Sequence, residues 1–346
     1  MRTIVWNEKQ KSVDIIDQNS LPVEFRTISL FSYPDVIRAI KHMTVRGAPA
    51  IGVTGVYGMA LAALDSKETD LLALKVQLKQ VSLEIGNARP TAVNLWNMLN
   101  HSLAVIDEFD GEVEELKIKL LTLAHKLADE DVETNMRLSR FGAELINDGD
   151  HIVHHCNTGA LATVDYGTAL GVIRMAHEQG KKIHVYVDET RPRLQGARLT
   201  AWELKQYGIP YDIITDSSSG HLMRMGLVNK VFFGADRVAM NGDVANKIGS
   251  YMLALAAVDN KLPVYSVFPL STVDKGIATG DEIEIEQRDA HEVLDISLKG
   301  EIVVPRGASA LNYAFDVTPH RLLTGLVTEY GVLYPPFIES LGNIIG

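Results

Sequence analysis

At Asp148-Gly149-Asp150 the spacing of apolar residues changes, and that change confines the chain to a two-part α/β architecture. Before it, apolar side chains recur at three- and four-residue intervals: Leu71, Leu74, Leu78, Val81 and Ile85, then Val113, Leu116, Leu120, Leu123 and Leu127. This spacing lines one face of a helix. After it, short apolar runs at residues 152–155, 183–187, 211–214, 230–233 and 264–267 read as strands. Helical stretches at 160–177, 199–206, 221–225 and 246–259 separate them, and the tail, with 302–304 and 314–317, reads as loops and short strands. Strands alternating with helices imply βαβ units and a parallel sheet. The opening residues add short strands at Ile4-Val5-Trp6 and Val13-Asp14-Ile15-Ile16. Ser32-Tyr33-Pro34-Asp35 marks a helix start, a capping serine with an acid three residues on. A length of 346 residues suits one large or two modest domains. The division is a mainly helical N-terminal domain, 1–127, and an α/β C-terminal domain, 128–346.

Charge and cysteine usage narrow the function. With 33 basic and 44 acidic residues the net charge is −11, which argues against a nucleic-acid coat but leaves room for a small basic pocket. Hydrophobic residues make up 46%, enough for a full core. Cys156 is the one cysteine, so no intrachain disulfide forms and a reducing cytoplasm is the expected compartment. No apolar run follows the charge near the start, so no signal peptide is visible. The longest uncharged stretch, 47–64, has the length of a membrane span. Its Gly47, Pro49, Gly52, Thr54, Gly55 and Gly58 suit a tightly packed loop and buried helix instead. Neither membrane nor nucleic acid is an expected partner.

In an open parallel sheet, ligands gather at the carboxyl ends of the strands, and several chemically able residues fall there. Cys156 ends the first strand, before a helix expected from Asn157-Thr158-Gly159, whose N-terminus would favour thiolate; the alternative is an inert buried cysteine. Asp236, in Gly234-Ala235-Asp236-Arg237, either caps the next turn or does acid–base work, the latter if apolar burial raises its pKa. Asn246 and Lys247 open a helix beside free backbone N–H groups, a phosphate site or a solvated cap. The polar run 189–196, which includes Gln195, either holds sugar hydroxyls or is a charged surface loop. In the first part, Arg46-Gly47-Ala48 and Arg89, placed at a helix start, offer phosphate-gripping arginines or interface ion pairs. No dinucleotide or ATP loop follows a strand. His151, His154 and His155 crowd Cys156, but His154 and His155 point to opposite faces of a strand, so no metal site is expected.

Together these segments resemble the methylthioribose-1-phosphate isomerase family, in the superfamily that includes the regulatory subunits of translation initiation factor 2B. The resemblance runs over nearly the whole chain and is densest at 45–52, 89–94, 155–171, 188–204, 234–249 and 283–293. It implies a small helical N-terminal domain, a Rossmann-like C-terminal domain, an active site between them and a homodimer. By resemblance Cys156 and Asp236 are the catalytic pair, and Arg46, Gly47, Ala48, Arg89, Gln195, Asn246 and Lys247 bind substrate. The implied substrate is a small phosphorylated sugar, 5-methylthioribose 1-phosphate, isomerised to 5-methylthioribulose 1-phosphate in methionine salvage with no cofactor or metal. Two positions depart from the pattern: Tyr313 stands where proline is usual, and Thr158 where alanine is common. A close paralogue acts on 5-deoxyribose 1-phosphate, and the regulatory subunits are non-catalytic, so both are alternative functions.

Overall fold

The computed structural model describes residues 1–90 and 92–345. It divides into two compact units, the first formed by Met1–Arg137 and Thr158–Gly171, the second by Leu138–Asn157 and the chain from Val172 onward.

The first unit opens with an antiparallel sheet of β1 (Ile4–Asn7), β2 (Ser12–Ile16) and β3 (Thr27–Leu30). Five helices follow: α1 (Tyr33–Lys41), α2 (Ala48–Asp65), α3 (Leu71–Gly86), α4 (Val93–Glu108) and α5 (Val113–Ala143). At the start of α1, Asp35 accepts the Ser32 amide at 3.0 Å, closing the expected capping box. Helix α2 is apolar on every side and therefore lies inside the unit, with Val53, Val56, Met59 and Ala60 fully buried. Its glycines let α4 approach: a Cβ on Gly55 would sit 2.5 Å from Leu95 Cδ1. The membrane-length stretch is thus a core helix, 78% of it buried. Helix α5 has no proline and runs unbroken across residues 127 and 128, and the second unit takes over at Leu138.

A helix over 160–177 is only partly formed, because 158–171 is held by the first unit. Thr3 Oγ1 donates to the Ala160 carbonyl at 2.6 Å, Gln18 Nε2 to that of Leu161 at 2.6 Å, and the Val164 amide to Asp131 at 2.8 Å. Gly167, at φ +91°, then turns the chain. Regular helix α6 covers only Ala169–Glu178.

Asp131 makes stability pH-dependent. Burial of its carboxyl is the largest cause raising its pKa from 3.8 to about 7, against the opposing Val164 hydrogen bond. The folded state therefore holds this proton more tightly than the unfolded chain. The stability it contributes is present below the unfolded pKa and is lost as pH rises through about 7. Three pKa units correspond to ~4 kcal/mol, and partial exposure of the residue reduces this to ~1–2 kcal/mol. Asp131→Asn keeps an acceptor for Val164 and should remove that loss. Urea unfolding at about pH 5 and about pH 8.5 checks it; equal pH slopes in the two proteins would refute it.

The second unit is built on a seven-stranded sheet of β4 (His151–His154), β5 (His184–Asp188), β6 (Tyr211–Ile214), β7 (Lys230–Phe233), β10 (Val264–Val267), β14 (Gly325–Thr328) and β15 (Gly331–Leu333). Its order is β15-β14-β10-β7-β4-β5-β6, with only β15 antiparallel to its neighbour. Counting the parallel strands from β4 gives 3-2-1-4-5-6, the doubly wound order. Strands β7, β10 and β14 are buried at every position, as expected of strands covered on both faces. Val153, Val231, Phe233, Val264, Phe268 and Leu326 form the core. Helices α7 (Ala201–Tyr207), α8 (Ser219–Arg224) and α9 (Ser250–Asp259) alternate with the strands.

A second, antiparallel sheet joins β8 (Arg237–Val238), β9 (Val244–Lys247) and β13 (Phe315–Thr318) in the order β13-β9-β8. The helix expected from Asn246 begins instead at Ser250, because Asn246 and Lys247 pair with Asp316 and Phe315 as strand. Short helix α10 (His291–Leu294) and the hairpin of β11 (Ser297–Leu298) and β12 (Glu301–Ile302) precede β13. The tail ends in a helix, α11 (Phe337–Ile345), rather than only loops and strands.

Candidate functional site

The strand order of the second unit reverses between β4 and β7, neighbours in which His154 pairs with Phe232. Connections leave this point in opposite directions, and in open α/β sheets ligands bind beyond the carboxyl ends at such a point. Cys156 lies just past the end of β4 and Asp236 just past the end of β7. The fold of this unit thus brings the two residues to adjoining strand ends.

Cys156 is buried and left-handed, at φ +65°. No helix starts here: a three-residue 3-10 turn at Ala160–Ala162 comes first, and α6 begins at Ala169. The expected thiolate-favouring helix N-terminus is therefore absent. Two threonines hold the backbone instead. The Cys156 amide donates to Thr190 Oγ1 at 2.9 Å, and Thr200 Oγ1 donates to the Cys156 carbonyl at 2.7 Å.

Beside it lies a buried polar group. His155 Nδ1 is 2.8 Å from Asp188 Oδ2, and Nε2 is 2.9 Å from the Ile248 carbonyl. Two acceptors facing both ring nitrogens require an extra proton in the pair, on the ring or on Asp188. For His155, burial disfavours the charged ring, but bonding to and charge on Asp188 outweigh it and raise the pKa. Burial raises that of Asp188. Ser219 Oγ donates to the other Asp188 oxygen. Asp216 accepts the amides of Thr190 and Arg191, both at 2.7 Å. Ligand atoms of His155, Asp188 and Asp216 lie within 4.8 Å of one another, but each is engaged in these hydrogen bonds. His154, on the opposite face, donates from Nδ1 to the Phe232 carbonyl at 2.9 Å; burial lowers its pKa to about 3 and keeps it neutral.

Asp236 is exposed, so the apolar burial expected to strengthen it as an acid is not what surrounds it. Its amide donates to the Ala245 carbonyl at 2.9 Å, and strand β8 follows at Arg237. The same contact places it next to β9. There Asn246 and Lys247 are 3% and 4% exposed, far from a solvated cap. Asn246 Nδ2 donates to Ser250 Oγ at 2.8 Å; Lys247 Nζ donates to the Ala314 carbonyl at 2.7 Å and stands 4.5 Å from the Phe315 ring centroid. The backbone N–H groups expected to be free at the start of α9 are taken by Asp316, which accepts those of Gly249 at 2.7 Å and Tyr251 at 3.1 Å. This helix start is therefore already filled by a carboxylate.

The run 189–196 is no loose surface loop. Besides the Asp216 bonds, Arg191 donates to the Val293 carbonyl at 3.0 Å and Arg193 pairs with Glu292 at 3.0 Å. Gln195 is 4% exposed, and its Oε1 is buried without a hydrogen-bond partner among the described residues. Such an acceptor is costly unless something fills it. Gly196 next to it abuts the Asp188 carbonyl so closely that a Cβ would lie 1.7 Å away.

In the first unit, Gly47 precedes α2 at φ +98°, with its Cα against the backbone of Ala162: a Cβ would meet that carbonyl oxygen at 2.3 Å. Arg46 is partly buried and Ala48 begins the helix. Arg89 sits in the α3–α4 turn, its amide on the Gly86 carbonyl at 3.1 Å; α4 starts only at Val93, so Arg89 is not at a helix start. Thr91, in the same motif, lies outside the described residues.

The chain matches the family model described as the initiation factor 2 subunit family over residues 44–335. It is 47% identical over 344 residues, 99% of this chain and 98% of the relative, to a protein of Synechococcus sp. named methylthioribose-1-phosphate isomerase. Among solved structures, it is similar to 5-methylthioribose 1-phosphate isomerase from Pyrococcus horikoshii, with a TM-score of 0.92 and 41% identity, covering 99% of this chain and 95% of that one. It is also similar to the translation initiation factor eIF-2B subunit delta from A. fulgidus, with a TM-score of 0.86 and 43% identity, covering 97% of each.

Proposed function

The chain belongs to the initiation factor 2 subunit family, and from that premise we propose how it works as an aldose–ketose isomerase that converts 5-methylthioribose 1-phosphate to 5-methylthioribulose 1-phosphate in methionine salvage. The observation that carries the activity is full-length similarity, 47% identity across 99% of the chain, to an enzyme of that name.

The substrate's C1 is locked as a phosphate ester, so the ring cannot open to a free aldehyde. The C1–O4 bond must break, C2 must lose its hydrogen and become a ketone, and C1 must gain one. Oxidation at C2 balances reduction at C1, so the overall change is redox-neutral. In our reading Asp236 delivers a proton to the departing ring oxygen, and Cys156 serves C2, either taking its proton or assisting a shift of hydride to C1. The placement of both at adjoining strand ends supports this pairing. Gln195 Oε1 accepts a sugar hydroxyl, which would supply its missing partner. Asn246 and Lys247, already hydrogen-bonded in place, line this side. Gly47 and Ala48 present backbone, and Arg46 and Arg89 supply phosphate-binding charge that an acidic chain otherwise lacks. We further propose a Rossmann-like second domain, a cytoplasmic location and a homodimer, all three implied by the resemblance to the isomerase family.

Kinetics on three ribose 1-phosphates differing only at C5 test this reading. The methylthio compound should have the highest kcat/KM, followed by the 5-deoxy compound, with the 5-phosphorylated one poorest. Arg46→Ala and Arg89→Ala should raise KM about ten- to a hundredfold for all three, because each loses a charge-assisted bond to the shared phosphate. A 5-deoxy preference would reassign the substrate. Absence of any ketose product would leave a ligand-binding subunit as the function.

A further inference from the structure

We propose that the hydroxyls of Thr190 and Thr200 form a two-sided clamp that sets the backbone, and hence the thiol, of Cys156 in its working orientation. The proposal rests on the catalytic reading of Cys156 and goes beyond it by naming two positioning residues.

An L-residue with a Cβ rarely adopts φ near +65°, the value at Cys156, and holds it only where its surroundings over-determine it. Here they do, from both sides of the residue. The amide donates to Thr190 Oγ1 at 2.9 Å, and the carbonyl accepts from Thr200 Oγ1 at 2.7 Å. A hydroxyl is needed at each place, one as acceptor and one as donor. Thr190 and Thr200 are both 0% exposed, so water cannot stand in for them.

The clamp is itself anchored. Thr190 is also left-handed, at φ +62°, and its amide donates to Asp216 at 2.7 Å. Its own hydroxyl proton goes to the Asp188 carbonyl at 2.9 Å, so the oxygen's lone pairs face Cys156. Thr200 closes the π-helical turn Gly196–Thr200, whose first residue fits only as glycine against the Asp188 carbonyl. Thr200 Oγ1 also accepts from Asn157 Nδ2 at 3.2 Å, and that amide donates to the buried Glu203 at 2.8 Å. Both arms thus run from Cys156 into the elements after β5. Unpaired, the Cys156 peptide groups would be free to leave the left-handed conformation, and the thiol would swing with them.

Because Cys156 is the one cysteine, alkylation by iodoacetamide reports this site alone. Thr190→Val and Thr200→Val keep volume and remove the hydroxyl. Each should lower kcat about ten- to a hundredfold with KM changed less than about threefold, and shift the rate or pH midpoint of alkylation. Thr190→Ser should restore both. Folded valine variants with wild-type kcat and alkylation would overturn the clamp. So would failure of both variants to fold, because the hydroxyls would then serve folding only. Cys156→Ala with full turnover would instead sink the catalytic reading, while alkylation in the threonine variants would still report the clamp.

Discussion

Cys156→Ser will lower kcat about 10²–10⁴-fold, the usual cost of losing a group that handles a proton in the transition state. Serine fits the same space and meets the same two threonine hydroxyls through its backbone, so folding and substrate binding should persist. The loss is chemical: an alkoxide is far harder to form than a thiolate, and a hydroxyl is a poor base at C2. Wild-type turnover in D2O separates the two routes at C2. Proton removal washes solvent deuterium into C1 of the product, whereas a hydride shift leaves C1 unlabelled. Activity of the serine variant within threefold of wild type would remove the thiol from the mechanism, whichever route operates.

The parallel sheet was legible because its strands are short apolar runs set apart by helical stretches, and Cys156 and Asp236 stood out because each follows such a run. Contacts between distant segments were not legible. Nothing local to Asn246 and Lys247 announces that they pair with Phe315 and Asp316 as strand. Nor does a helix start at Ser250 show that a carboxylate 66 positions along the chain from Ser250, Asp316, will occupy its amides. The helix expected after Cys156 becomes regular only from Ala169, for a related reason. Residues 158–171 hold three glycines and three threonines, poor helix formers, and their carbonyls and amides are spent on Thr3, Gln18 and Asp131. The positioning threonines carry no motif; they emerge only once β4, β5 and the π-turn are side by side.

Asp236→Asn should abolish turnover as thoroughly, by about 10²–10⁴-fold, because an amide cannot pass a proton to O4. The exposure of Asp236 adds a sharper expectation. In the free enzyme this carboxyl lies open to solvent. Bound substrate would cover it and set a phosphate dianion in the same site, and both effects favour the protonated acid. A general acid must be protonated to act, so the rate falls as pH rises past its pKa. The pH dependence of kcat/KM reports the free enzyme and that of kcat reports the complex. The descending limb should therefore lie at higher pH in kcat than in kcat/KM, and substrate binding should draw a proton from solution, measurable as a buffer-dependent binding enthalpy. In the residual activity of Asp236→Asn that limb should vanish. Coincident limbs in the wild type would mean that substrate does not cover this carboxyl, and an asparagine variant with the wild-type profile would assign the proton donor elsewhere.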